Sequence, residues 1–75
     1  MFINQLREKI CELTFLADDE LTPELNLFSE GYLDSVSLLE LVSFIETSLS
    51  IRIATADLSL DNFDTLARII NYLKL

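Results

Sequence analysis

Histidine and tryptophan are absent from this 75-residue chain, and cysteine, glycine, proline and methionine occur once each. Each shortage removes a class of chemistry. Without histidine the usual serine triad lacks its general base. One cysteine excludes a disulfide within the chain and, with no imidazole present, argues against a soft-ligand metal site. One glycine is too few for a glycine-rich phosphate loop. Basic residues are also scarce: 5 Lys and Arg stand against 13 Asp and Glu, a net charge of −8. Such a charge repels nucleic acid and anionic membranes and steers the chain towards basic partner surfaces, at the cost of self-repulsion. No apolar run approaches the ~20 residues that span a bilayer. Met1-Phe2-Ile3-Asn4-Gln5-Leu6-Arg7-Glu8 lacks the basic segment and apolar stretch of a signal peptide. The expected setting is soluble, reducing and cytoplasmic.

What is present is apolar content, 51% of residues, enough for one compact core in a single domain over residues 1–75 but not for an enclosed enzyme pocket. The periodicity is helical. Ile3, Leu6, Ile10, Leu13 and Ala17 share one face of a first helix over 2–17, and Asp18-Asp19-Glu20 marks its stop. Residues 18–34 form a long connection. Its Leu21, Leu25, Leu27, Phe28, Tyr32 and Leu33 are too many large apolar groups for a solvated loop, so it is expected to lie across the helices and close the core. Thr22-Pro23-Glu24-Leu25 has the cap-then-proline order of a short helical turn.

A second helix is expected over 35–49, with Leu38, Leu41, Val42, Ile45 and Leu49 inward. Ile51-Arg52-Ile53 reads as an extended link packing both isoleucines on the core, since one lone strand makes no sheet. Thr55 can cap a short third helix, and Asp64 a last helix over 65–74 with Leu66, Ile69, Ile70 and Leu73 inward. The expected fold is all-α, a small four-helix bundle of three main helices and one short one, with a long first loop.

One junction stands out. Gly31-Tyr32-Leu33-Asp34-Ser35-Val36 places the only glycine, then an acid suited to capping, then a serine, just before the longest apolar-periodic segment. Asp34 can accept a hydrogen bond from a free backbone N–H of the first turn. Ser35 becomes the first helical residue, its hydroxyl at the positive end of the helix dipole, where a phosphate ester is electrostatically tolerated. Neither Lys9 nor Lys74 has a cue placing it beside Ser35 as a base. Cys11 reads as a packing residue, and Asp18, Asp19 and Glu20 lack the spacing of a calcium loop. No catalytic constellation and no metal site emerges. Val36 faces outward on the second helix and Leu39 lies on its shoulder, and two readings stay open: scattered surface hydrophobes, or a docking patch beside Ser35.

The junction resembles that of the acyl, aminoacyl and peptidyl carrier proteins. Their signature, Asp-Ser followed by a bulky aliphatic at the start of the second helix of a small acidic bundle, stands here as Leu33-Asp34-Ser35-Val36, continued by Leu38-Leu39-Glu40-Leu41-Val42. Leu27-Phe28-Ser29-Glu30-Gly31 looks like the family's approach to that serine. Asn62-Phe63-Asp64-Thr65-Leu66-Ala67-Arg68-Ile69 looks like its last helix. The resemblance implies a non-catalytic, monomeric carrier of stand-alone type. A separate phosphopantetheinyl transferase would move 4′-phosphopantetheine from coenzyme A to Ser35, with Asp34 engaging the transferase's magnesium site. The arm's thiol would hold an acyl or aminoacyl cargo as a thioester, taken from a loading ligase and passed to transferases or synthases. It also tips Val36 and Leu39, with Glu40, towards partner docking. Two departures bear on the partner set: Ser37 stands where fatty-acid carriers often have an acid, and Ser43 where an exposed apolar residue is common. The competing class is an acidic interaction module without a cofactor.

Overall fold

The computed structural model describes residues 1–75 as four α-helices joined by turns and extended links: α1 (Phe2–Thr14), α2 (Ser35–Leu49), α3 (Leu60–Phe63) and α4 (Leu66–Leu73). Single 3₁₀ turns lie at Asp18–Glu20 and Thr55–Asp57. There is no strand, and the expected all-α bundle of three longer helices and one short one is what forms. No helix is long and apolar enough to cross a membrane.

The core collects one stripe from each longer helix: Leu6 and Ile10 of α1, Leu41, Val42 and Ile45 of α2, Leu66 and Ile69 of α4. Phe63 of α3 and Ile53 of the second connection join them. The first loop contributes Leu21, Leu27 and Leu33, each at most 4% exposed. A loop that buries three leucines is a packed layer, as its apolar content required. At about 1.5–3 kcal/mol for a fully buried leucine, these three contribute roughly 5–9 kcal/mol of apolar burial.

Helix α1 stops at Thr14, three residues earlier than its periodicity suggested. Phe15 adopts a left-handed backbone (φ 64°) while its N–H still bonds to the Cys11 carbonyl. The Thr14 hydroxyl donates to the Ile10 carbonyl and accepts from the Leu16 N–H, turning the chain out of the helix. Ala17 therefore leaves the inward stripe and is exposed. The acids that follow open a 3₁₀ turn, with Glu20 accepting from the Ala17 N–H. Arg7 holds this corner by donating to the Asp18 side chain and to the Asp18 and Leu21 carbonyls.

Three other expectations are corrected at the second connection. Ile51 is exposed and only Ile53 is buried, because the Ile51 N–H still bonds to the Glu46 carbonyl in the turn that ends α2. The extended link begins after that, pinned where the Glu46 carboxylate accepts from the Ile53 N–H at 2.8 Å. Thr55 lies inside a 3₁₀ turn capped by Ala54 and does not start a helix; the short helix is α3, further on. Asp64 does not cap α4. Thr65 does, its hydroxyl accepting from the Arg68 N–H at 3.1 Å, and Asp64 is free for another task.

Candidate functional site

The site begins with how α2 starts. Asp34 is extended (φ −121°) and its Oδ1 accepts from the Ser37 N–H at 2.9 Å, the cap its chemistry called for. The N–H and hydroxyl of Ser37 together hold the Asp34 carboxyl below its ordinary value, so it is ionised at neutral pH. The Asp34 carbonyl takes the first helical bond, from Leu38. Ser35 then sits at the first helical position, exposed, and neither its hydroxyl nor its N–H bonds to any other group of the chain. Nothing basic pairs with the hydroxyl to make it a nucleophile. An unengaged hydroxyl, a free backbone N–H and the positive end of a fifteen-residue helix fit a phosphate ester sterically and electrostatically.

What aims this junction is the loop before it. Gly31 has φ +82°, a conformation that costs other residues more than glycine, and its N–H closes a turn on the Phe28 carbonyl. The Leu33 N–H bonds back to the Leu27 carbonyl at 2.9 Å, so residues 27–33 form a closed loop that ends against Asp34. That loop is moored to the approach to α4. The Leu27 N–H bonds to the Asp64 carbonyl. The Asp64 side chain, only 4% exposed, accepts from the Phe28 and Ser29 N–H groups at 2.9 and 3.0 Å and from the Ser29 hydroxyl. Burial pushes the Asp64 carboxyl up, but the Ser29 hydroxyl, the two N–H groups and the Arg68 charge outweigh it, and its value falls below the ordinary one. A second mooring is the Pro23 carbonyl, which accepts from the Ala67 N–H, one of the free donors of the α4 first turn. Thus residues 22–25 form the short turn expected, closed by the Leu25 N–H on the Thr22 carbonyl and tied to α4 through Pro23.

Around Ser35 the outward face of α2 carries Val36, 68% exposed, and Leu39, 63% exposed, with Glu40 also exposed. Tyr32 adds a partly exposed ring from the loop. Val36 and Leu39 are therefore not core residues. Sequence reasoning missed Ser29 and Asp64, which touch no substrate position but fix the loop that delivers Asp34 and Ser35. Their signal was faint: Asp64 and Thr65 are adjacent cap formers, and one helix start can use only one of them. Cys11 is half-buried and free, and burial followed by the nearby Asp18 charge pushes its thiol up against the opposing pull of Arg7. It is no activated nucleophile. No three metal-ligating side chains come together.

A small acidic helical bundle with an unengaged serine at the start of its second helix is the architecture of a carrier domain. The sequence profile described as "Phosphopantetheine attachment site" matches residues 4–73, and the chain belongs to that family, whose members carry 4′-phosphopantetheine covalently on a serine. A comparison with curated proteins found no match.

Proposed function

We propose that Ser35 is the attachment serine and that the chain is a non-catalytic carrier, holding an acyl or aminoacyl cargo between enzymes that load and use it. The observation that supports this reading most is the state of Ser35: exposed, at the first position of α2, without an internal partner for hydroxyl or N–H. When bound, the arm supplies a terminal thiol that holds the cargo as a thioester. The chain's own residues do the rest. Ser35 offers the oxygen that becomes the phosphodiester oxygen, and the helix dipole favours the resulting anion. Asp34, ionised and exposed, presents a carboxylate to the transferase's magnesium site. Val36 and Leu39 supply apolar contact and Glu40 a charge for partner enzymes: the transferase, a loading ligase, and downstream transferases or synthases. The charge of −8 selects partners with basic rims, in a cytoplasmic setting and with the carrier as a monomer.

The test is incubation with coenzyme A and a broad-specificity phosphopantetheinyl transferase, followed by intact-mass measurement. The carrier reading requires a gain of one phosphopantetheinyl group, absent in Ser35→Ala. An unchanged mass, with a control carrier loaded by the same transferase, favours a cofactor-free interaction module instead.

A further inference from the structure

Phe15 is the most exposed large apolar residue of the chain, at 93%, and it occupies a backbone position that disfavours it. Three residues other than glycine have left-handed backbones, Phe15, Ser50 and Lys74, each at a helix end. Two of them are polar and suit an exposed turn. Phe15 alone puts an aromatic ring into water there, with neither the backbone ease of glycine nor any burial to offset the strain. Strain of this kind persists where the surroundings over-determine it, and it concentrates at functional sites. The surroundings do over-determine it. The Phe15 N–H bonds to the Cys11 carbonyl at 2.8 Å, the Thr14 hydroxyl joins the Ile10 carbonyl to the Leu16 N–H, and the Ala17 N–H donates to Glu20. Arg7 ties the backbone of Asp18 and Leu21 to α1, and Leu21 is sunk in the core. A ring on so fixed a corner has little main-chain freedom to lose on association, which suits it as an interface anchor.

Charge gathers at the same end of the sequence. Residues 1–34 hold 8 acids and 2 bases, residues 35–75 hold 5 acids and 3 bases. Helix α2 carries only Glu40 and Glu46, and the Glu46 carboxylate is engaged by the Ile53 N–H. Asp18, Asp19 and Glu20 follow Phe15 closely and are all exposed, with Arg7 pairing with Asp18 at 3.3 Å. The densest acidic stretch of the chain therefore adjoins its most exposed ring, away from α2 in sequence.

We infer that the corner at residues 15–20 docks a protein partner, whose apolar pocket takes the Phe15 ring and whose Lys and Arg side chains rim that pocket against Asp18, Asp19 and Glu20. Charge complementarity sets this chemistry: an aromatic anchor beside three acids fits an apolar hollow with a basic rim. The surface shares no residue with Ser35, Val36 and Leu39, and it stands whether or not Ser35 carries an arm. It divides the labour of the chain. The start of α2 presents the attachment serine, and the corner after α1 supplies electrostatic steering and an anchor.

The test is photo-crosslinking in extract of the cells that make the chain, with benzoylphenylalanine at position 15 and, as a control, at the exposed Asn71 of α4. The labelled protein is identified by mass, purified, and titrated with the unmodified chain. The inference requires another protein labelled from position 15 and not from position 71. Its Kd should rise about tenfold or more in Phe15→Gly and severalfold in Asp19→Asn, and its binding should weaken with added salt. Glycine suits the left-handed corner, so Phe15→Gly removes the ring without unfolding the chain, which its urea midpoint verifies. No adduct, an adduct only with a second copy of the chain, or a Kd unchanged in Phe15→Gly overturns the docking corner. A partner that needs the ring but ignores salt and Asp19→Asn overturns the basic rim. The mass gain on Ser35, carried to completion, is read in the same variants and should be unchanged, so failure of the corner and failure of the attachment are seen separately.

Discussion

Replacing Asp64 tests whether a buried carboxylate on the approach to α4 holds the loop that delivers Ser35. Asp64→Ala leaves the Phe28 and Ser29 N–H groups without their acceptor; the exposed Ser29 hydroxyl recovers a water. A stranded, partly buried donor costs about 1–3 kcal/mol, so two cost roughly 2–6 kcal/mol. For a domain of this size that is most of its stability. Asp64→Asn keeps an oxygen in place for the two N–H groups, puts an NH2 where the Ser29 hydroxyl donated, so that this hydroxyl must turn to accept, and loses the charge assistance, about 1–2 kcal/mol. Urea titration at pH 7 reads both as a lower midpoint at unchanged slope. The pH dependence follows from the lowered carboxyl. Its contribution is fully present above the unfolded value, about 3.9, and is lost as pH falls through the lower folded value. The gap between wild type and Asp64→Asn should therefore hold constant from pH 7 to about pH 5 and close below about pH 4. Amide exchange at Phe28 and Ser29 reports any opening confined to the loop. An Asp64→Ala protein with the wild-type midpoint and unchanged exchange at both amides would refute the mooring.

Other perturbations bear on separate parts of the fold. Gly31→Ala meets no atom within 4 Å, so only the left-handed backbone penalises it, and urea titration should show a loss of about 1 kcal/mol. Phe15 is 93% exposed at a left-handed helix end; Phe15→Gly should raise the stability by about 0.5–1 kcal/mol, as glycine suits that position and no packing is lost. Leu39→Asp should leave the melting temperature within the spread of surface substitutions, about ±0.5 kcal/mol, while slowing phosphopantetheinylation; equal loss of fold and rate would return Leu39 to the core. Added salt or divalent cation should raise the melting temperature by screening the charge of −8, and a flat response would show that self-repulsion is unimportant.

Much of this was legible in residue order because it is local. The Asp34 cap, the span of α2 and its inward stripe follow from capping chemistry and a 3.6-residue period, and the structure has all three. The apolar count of the first loop announced that it packs. What could not be read depends on contacts far apart in sequence. Asp64 was assigned to the helix it precedes, and only the fold shows it 35 residues from its partner Ser29. Pro23 was expected in a short turn, and only the fold shows its carbonyl serving Ala67. Glu46 carries no cue in the sequence that its carboxylate pins the Ile53 N–H. The early stop of α1 turns on Phe15 taking a backbone conformation that aromatic residues rarely adopt, which periodicity cannot foresee.

The central claim is the identity of one oxygen atom. Ser37 lies two residues beyond Ser35 and is the other serine of the first turn of α2, but it is half-buried and its N–H is bound to Asp34. Fragmentation mass spectrometry of the loaded protein separates the two. The phosphopantetheinyl group should map to Ser35, vanish in Ser35→Ala and persist in Ser37→Ala. A label on Ser37, or none at all while a control carrier is loaded by the same transferase, would contradict the assignment.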